Sequence, residues 1–154
     1  MSERSPDVRI RDIEPADEAV WRELWGNYLT FYEATLPQST TDLTWTRISG
    51  DDPAFGSLVA VDTISGEIVG ITNFILHPSS WSETPFCLLN DLFVSPEARG
   101  KGAGRALIQH LIERARTEGW ARVYWVTKES NATARTLYDS FSPADGFIRY
   151  TVKV

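Results

Sequence analysis

The chain has 154 residues, 42% of them hydrophobic and 23% charged, the composition of a folded domain with a buried core of its own. Its 15 Lys and Arg against 21 Asp and Glu leave a formal charge of −6, which argues against non-specific nucleic-acid binding by phosphate neutralisation and leaves the surface receptive to cations such as amines. The single Cys87 excludes an internal disulfide, no apolar run reaches membrane-spanning length, and "MSERSPDVRI" lacks the apolar stretch of a secretory signal, so a cytoplasmic protein free of membranes is expected.

In chain order, residues 1–7 are expected to be a flexible lead into a single domain. "VRIRDI" (8–13) alternates apolar and polar residues and predicts a strand. The segment from Glu14 to Pro37 predicts a helix, with Pro15 and acidic residues at its start. A second, shorter helix ends at Gly50, and residues 56–77 form two β-rich runs around a turn at Ser65-Gly66. "FCLLNDLFV" (86–94) predicts a buried strand. Residues 103–118 place Leu107, Ile108, Leu111, Ile112 and Ala115 on one helical face, closed by Gly119. "ARVYWVT" (121–127) predicts a strand, 131–141 a short helix that Ser130 or Asn131 could cap, and "GFIRYTVKV" (146–154) a last strand. The crossover from strand 86–94 through helix 103–118 to strand 121–127 requires a parallel pair in an otherwise antiparallel-looking sheet.

The most informative stretch is "DLFVSPEARGKGAGRALI". Glycine lets consecutive backbone N–H groups face outward without a Cβ in the way, and at a helix start those groups are unpaired donors. Arg99, Lys101 and Arg105 interleave with Gly100, Gly102 and Gly104, so the loop reads as a phosphate site; the bland alternative is a solvated turn. The P-loop pattern fails because Gly102 stands where Ser or Thr is required, and the dinucleotide pattern fails because Arg105 occupies its last glycine position.

Arg99-Gly100-Lys101-Gly102-Ala103-Gly104 instead resembles the R/Q-x-x-G-x-G/A pyrophosphate signature of the GNAT acyltransferases. "VTKESNATARTLYDSF" is similar to that family's following segment, with Asn131, Ala134, Leu137 and Tyr138 at the family's spacing, and "GFIRY" to its closing strand. The resemblance covers nearly the whole chain and lies nearest a subgroup acting on histone tails, polyamines and amino acids. It implies an α/β fold of the GNAT acyltransferase type: a mixed, mostly antiparallel central sheet with a splayed parallel pair, flanked by helices.

It also implies the chemistry, acetyl-CoA-dependent N-acetylation by direct transfer to a primary amine of a small molecule or basic peptide. The pantetheine arm is expected along Leu92, Phe93 and Val94, with an N–H near Phe93 facing the thioester oxygen. The pyrophosphate is expected on the loop from Arg99 through Gly100, Lys101, Gly102, Ala103 and Gly104 to Arg105, with Asn131, Ala134 and Tyr138 also on the donor side. Tyr138 is the candidate general acid for the departing thiolate; the alternative is an aromatic packed one turn from Ala134. An alkylamine of pKa about 10.4 is roughly 0.04% neutral at pH 7, a deficit of about 4 to 5 kcal/mol, so some group must accept a proton. Asp91 stands where related polyamine-type enzymes carry acidic residues. Those relatives often have Glu-Asp there, whereas this chain has Asn90-Asp91, so a glutamate base does not carry over.

For the acceptor, Trp21, Trp25, Tyr28 and Tyr32 form a helical stripe that is either core or pocket wall. Tyr28, Tyr32, Glu33, His77, Trp81 and Asp91 are the acceptor-side candidates. Two distant histidines, His77 and His110, and one cysteine supply no zinc ligand set, so no metal is expected. The subgroup commonly dimerises through terminal strands, which implies a homodimer. Two rival readings stay open: a non-catalytic CoA-binding sensor, and a protein-interaction domain with the aromatic stripe as its surface.

Overall fold

Residues 7–154 are described in a computed structural model of the chain; of the expected flexible lead, residues 1–6 lie outside the described residues. Five strands form one sheet in the order β1-β2-β3-β4-β5. They are β1 (Val8–Asp12), β2 (Phe55–Asp62), β3 (Ile68–Ser79), β4 (Ser82–Val94) and β5 (Arg122–Tyr124). The helices are α1 (Glu18–Phe31), α2 (Gln38–Ser49), α3 (Ala103–Glu118) and α4 (Ala132–Asp139). All neighbouring strands are antiparallel except β4 and β5, the parallel pair that the α3 crossover requires.

Local chemistry explains the joints. At the start of α1, Arg11 forks onto Asp17 with Nη1–Oδ2 2.8 Å and Nη2–Oδ1 3.0 Å, while Asp17 Oδ2 also accepts the Glu14 N–H at 2.8 Å. The guanidinium holds the Asp17 carboxyl below its ordinary pKa, tying the end of β1 to the helix. At the β2–β3 turn, Asp62 Oδ1 accepts the N–H groups of Ile64 and Ser65, both at 2.9 Å, and Gly66 takes the positive φ of 74° that closes the reversal.

The strand period of two sends alternate side chains to two separate cores. On one face, Val59, Val61 and Ile71 pack against Trp21, Leu24 and Trp25 of α1 and Trp45 and Ile48 of α2. On the other, Leu58, Ala60, Phe74, Cys87 and Leu89 meet Ala103, Leu107, Ile108 and Leu111 of α3. The sheet is thus covered on both faces.

The end of the chain departs from the sequence expectation. Residues 146–154 form no strand, and Phe147, Ile148, Tyr150 and Val152 are 89%, 75%, 86% and 85% exposed. A strand borrows its hydrogen bonds from a neighbour, and this segment pairs with none among the described residues. No helix among the described residues is long and apolar enough to cross a membrane.

Candidate active site

The site begins where β4 and β5 separate. Their ladder covers only Phe86↔Arg122, Cys87↔Val123 and Leu88↔Tyr124, after which residues 125–128 leave the sheet. From Leu89 to Val94, β4 is paired on its β3 side alone, so Leu92, Phe93 and Val94 lie along a backbone edge turned to the gap. An extended ligand can satisfy such an edge as a strand would.

At the far end of that edge, a short 3-10 turn over Pro96–Ala98 and the glycine loop lead into α3. Gly100 and Gly102 adopt positive φ of 88° and 78°. The helix ladder opens with Ala106 N–H on Gly102 O, which leaves the N–H groups of Ala103, Gly104 and Arg105 without helical acceptors. A Cβ added at Gly104 would lie 3.4 Å from Leu137 Cδ2, so the start of α3 touches α4. The three cations differ in company. Lys101 Nζ is 2.7 Å from Asp62 Oδ2, which ties the loop to the β2–β3 turn and holds the Asp62 carboxyl far below its ordinary pKa. Arg105 Nη1 donates to Ser140 Oγ at 3.0 Å with its guanidinium 5.4 Å from the Phe141 ring centre. Arg99 donates its backbone N–H to Pro96 O. A groove of about 1210 Å³ runs from this loop along α1, but neither Asp91 nor Tyr138 lines it.

Asp91 owes its position to a β-bulge. Asn73 pairs with Asp91 and the next residue, Phe74, with Leu89, so Asn90 is an extra residue in β4. The inserted residue shifts the alternation by one. Leu89 therefore faces α3, whereas Phe93, four residues on, packs in the α1 core. Asp91 turns with Phe93, toward α1. Its Oδ2 accepts Asn73 Nδ2 at 3.2 Å and Asn90 Nδ2 at 3.1 Å, and the Tyr28 phenol of α1 lies close to the same carboxylate. Burial raises the carboxyl pKa above its ordinary value, opposed by the two amides and the nearby phenol. Burial, and then the Asp91 charge, push the Tyr28 phenol far up in turn.

Across the gap, α4 carries Tyr138, its ring 5.6 Å from that of Trp125. Burial raises the Tyr138 phenol, with a further contribution from Tyr32. Tyr28 feels Asp91, Tyr32 and Tyr138 together, so one cluster joins α1, β4 and α4. The aromatic stripe of α1 divides between core and surface. Trp21 and Trp25 stack at 5.5 Å in the core, and Tyr28 and Tyr32 meet edge to face at 4.9 Å nearer the surface, with Tyr32 41% exposed.

Other candidates stand apart from this cluster. His77 pairs with Phe86, five residues or about 17 Å along β4 from Asp91, and its Nε2 is 2.6 Å from Tyr124 Oη. Trp81 lies further out and is 91% exposed. Glu33 follows α1 with a positive φ of 53° and an exposed side chain. Asn131 caps α4 through Oδ1 to the Ala134 N–H at 3.4 Å, and its Nδ2 reaches Thr127 Oγ1 at 3.4 Å. Sequence reasoning missed Asn73, which touches Asp91. The signal was a lone amide in the apolar run "GITNFIL", since a buried polar side chain needs partners.

These features fit known proteins. The Acetyltransferase (GNAT) family matches residues 18–142. A D-amino-acid N-acetyltransferase of Saccharomyces cerevisiae is 34% identical over 144 residues, covering 90% of this chain and 89% of that one. An uncharacterized N-acetyltransferase, YhfO of Bacillus subtilis, is 30% identical over 150 residues, covering 96% and 98%. A solved structure of a probable acetyltransferase shares the fold with a TM-score of 0.83 at 23% identity, covering 95% of this chain and 97% of that one. The opened parallel pair, the glycine-rich start of α3 and the family match agree: the chain belongs to the GNAT acetyltransferase family and is an N-acetyltransferase.

Proposed function

We propose that the enzyme moves an acetyl group from acetyl-CoA directly onto the primary amine of a small molecule or basic peptide. The observation that carries this reading is the opening between β4 and β5, with a carboxylate and a phenol beside it and unpaired helix N–H groups at its end. The glycine loop suits a pyrophosphate, and the free β4 edge suits a chain of amides, so the residues fit CoA. When bound, acetyl-CoA would supply the activated acetyl group.

The chain's own groups then divide the work. Asp91 takes a proton from the incoming ammonium, leaving the nitrogen lone pair free to attack. Tyr138 donates its phenolic proton to the departing thiolate sulfur, and its phenolate recovers the second proton that the nitrogen sheds as the amide forms. Backbone N–H groups near Phe93 bind the carbonyl oxygen as it gains charge. Tyr28 and Tyr32 flank the amine and shield it from water. The yeast relative's name puts amino acids at the head of the acceptor panel.

The exposed row at Phe147, Ile148, Tyr150 and Val152 supports a homodimer, because a second copy would give that segment the neighbour it lacks. The test of function is thiol release from acetyl-CoA with D- and L-amino acids, polyamines, arylamines and basic peptides. Turnover with one class identifies the acceptor. Tight CoA binding without thiol release on any amine would replace this reading with a non-catalytic CoA sensor.

A further inference from the structure

The interior of β3 and β2 carries a polar chain that the transfer reaction leaves unassigned. Asn73 is almost fully buried, 3% exposed, between the sheet and α1. Its Oδ1 accepts Trp21 Nε1 at 3.3 Å and Ser57 Oγ at 3.0 Å, and its Nδ2 donates to Asp91 Oδ2 at 3.2 Å. An indole N–H can only donate, so Trp21 dictates which end of the amide is oxygen. The NH₂ must then face Asp91. Oδ2 thus receives two amide N–H groups, from Asn73 and from Asn90 at 3.1 Å, which occupy both of its lone pairs. No cation pairs with Asp91 among the described residues. The titratable groups on this side are Tyr28, close to the carboxylate, with Tyr32 and Tyr138 beyond it.

We propose that Asn73, held by Trp21 and Ser57, is a positioning residue for Asp91: it keeps Oδ2 a permanent acceptor and leaves Oδ1 as the one oxygen that takes the proton of the amine. This rests on the reading of Asp91 as a group of the transfer site. The step balances, since one N–H bond of the substrate ammonium breaks, its electron pair stays on nitrogen, and the proton forms an O–H bond at Oδ1. The reason for so elaborate a support is geometric. A carboxylate free to rotate in a buried site would present either oxygen, and a protonated Oδ2 would donate back into the strand instead of serving the pocket.

The experiment is a pH titration of the Asp91 carboxyl carbon by ¹³C NMR in the full chain, with the resonance assigned by its loss in Asp91→Asn. Asn73→Asp keeps the shape but turns the donor into an acceptor, and Asn73→Leu removes it. Both are expected to raise the Asp91 midpoint by about one pH unit or more, since a hydrogen bond to the charged form is lost. Trp21→Phe leaves Asn73 in place but frees its amide to turn, and is expected to shift the midpoint the same way by less. Should the Asn73 variants fail to fold, Trp21→Phe and Ser57→Ala decide. A midpoint unchanged in every folded variant overturns the proposal.

Turnover separates this from the reading beneath it. With the acceptor found in the amine panel, the acidic limb of kcat/KM is expected to move with the NMR midpoint while the KM for acetyl-CoA stays fixed. A merely structural Asn73 would lower the amount of folded enzyme and leave the limb in place. Wild-type turnover by Asp91→Asn would sink the role of Asp91 itself, whatever the titration shows.

Discussion

Burial raises the Asp91 pKa, so the folded protein holds its proton more tightly than the unfolded chain. The sign follows: this group favours folding most below the unfolded value of about 3.9 and loses that contribution as pH rises through the folded value. At neutral pH a buried charge is therefore a cost, and Asp91→Asn is expected to raise Tm by about 2–4 °C while lowering turnover. Thermal unfolding at pH 7 checks the first half; a fall in Tm would contradict it. In the proposed reaction the ionised form accepts the proton, so kcat/KM should climb with pH along a limb above the ordinary carboxylate range. Tyr138, as the proposed acid, needs the opposite state. Its raised pKa keeps the phenol protonated, so kcat should hold up to about pH 9, and Tyr138→Phe should lose about 100-fold in kcat with CoA affinity intact. A variant with wild-type kcat would reduce Tyr138 to packing against Trp125.

At the scale of elements, the site is an interruption between β5 and α4. The sheet could have continued beside β4; instead the chain leaves after Tyr124 and returns as α4, which rests on the glycine-rich start of α3. Gly102 is the hinge of that arrangement. A Cβ there meets nothing within 4 Å, yet its φ of 78° is the left-handed conformation that other residues resist. Gly102→Ala is expected to cost roughly 1–2 kcal/mol and to weaken CoA binding several-fold as the loop relaxes. Calorimetry and CoA titration measure the two. Full stability with full affinity would show that the left-handed turn is not needed. The Lys101–Asp62 pair binds the same loop to the β2–β3 turn and Arg105 reaches Ser140 and Phe141, so two of the three cations that the sequence presents around the glycines are engaged within the protein.

For the whole molecule, the exposed segment at 147–152 bears on assembly. A row of apolar residues at 147, 148, 150 and 152 stands in water in the single chain, a surface that isolated soluble domains seldom leave uncovered. Sedimentation is expected to give a dimer, and Ile148→Asp with Tyr150→Asp a folded monomer. A wild-type monomer at all concentrations would remove the dimer. The same segment shows why periodicity alone misleads. Its β-rich pattern is real, but a strand exists only where another edge accepts its hydrogen bonds, and the pattern does not say whether that edge lies in the same chain.

Local chemistry in the sequence determined much of the rest. The bounds of α3 follow from a helical apolar period between Gly102 and Gly119, and the β2–β3 hairpin from its turn residues. The family could be recognised because the glycine loop and the Asn131–Tyr138 segment are contiguous, so their order survives in one dimension. Only the tertiary structure decided the surroundings of Asp91. Strict alternation along Cys87, Leu89, Asp91 and Phe93 would put all four on the α3 face. The extra residue at Asn90 turns the last two toward α1, where Asn73, Trp21 and Tyr28 meet them. A bulge is a property of two strands in register, and the partners that fix its carboxylate come from positions far apart in the chain. No single run of residues contains that information.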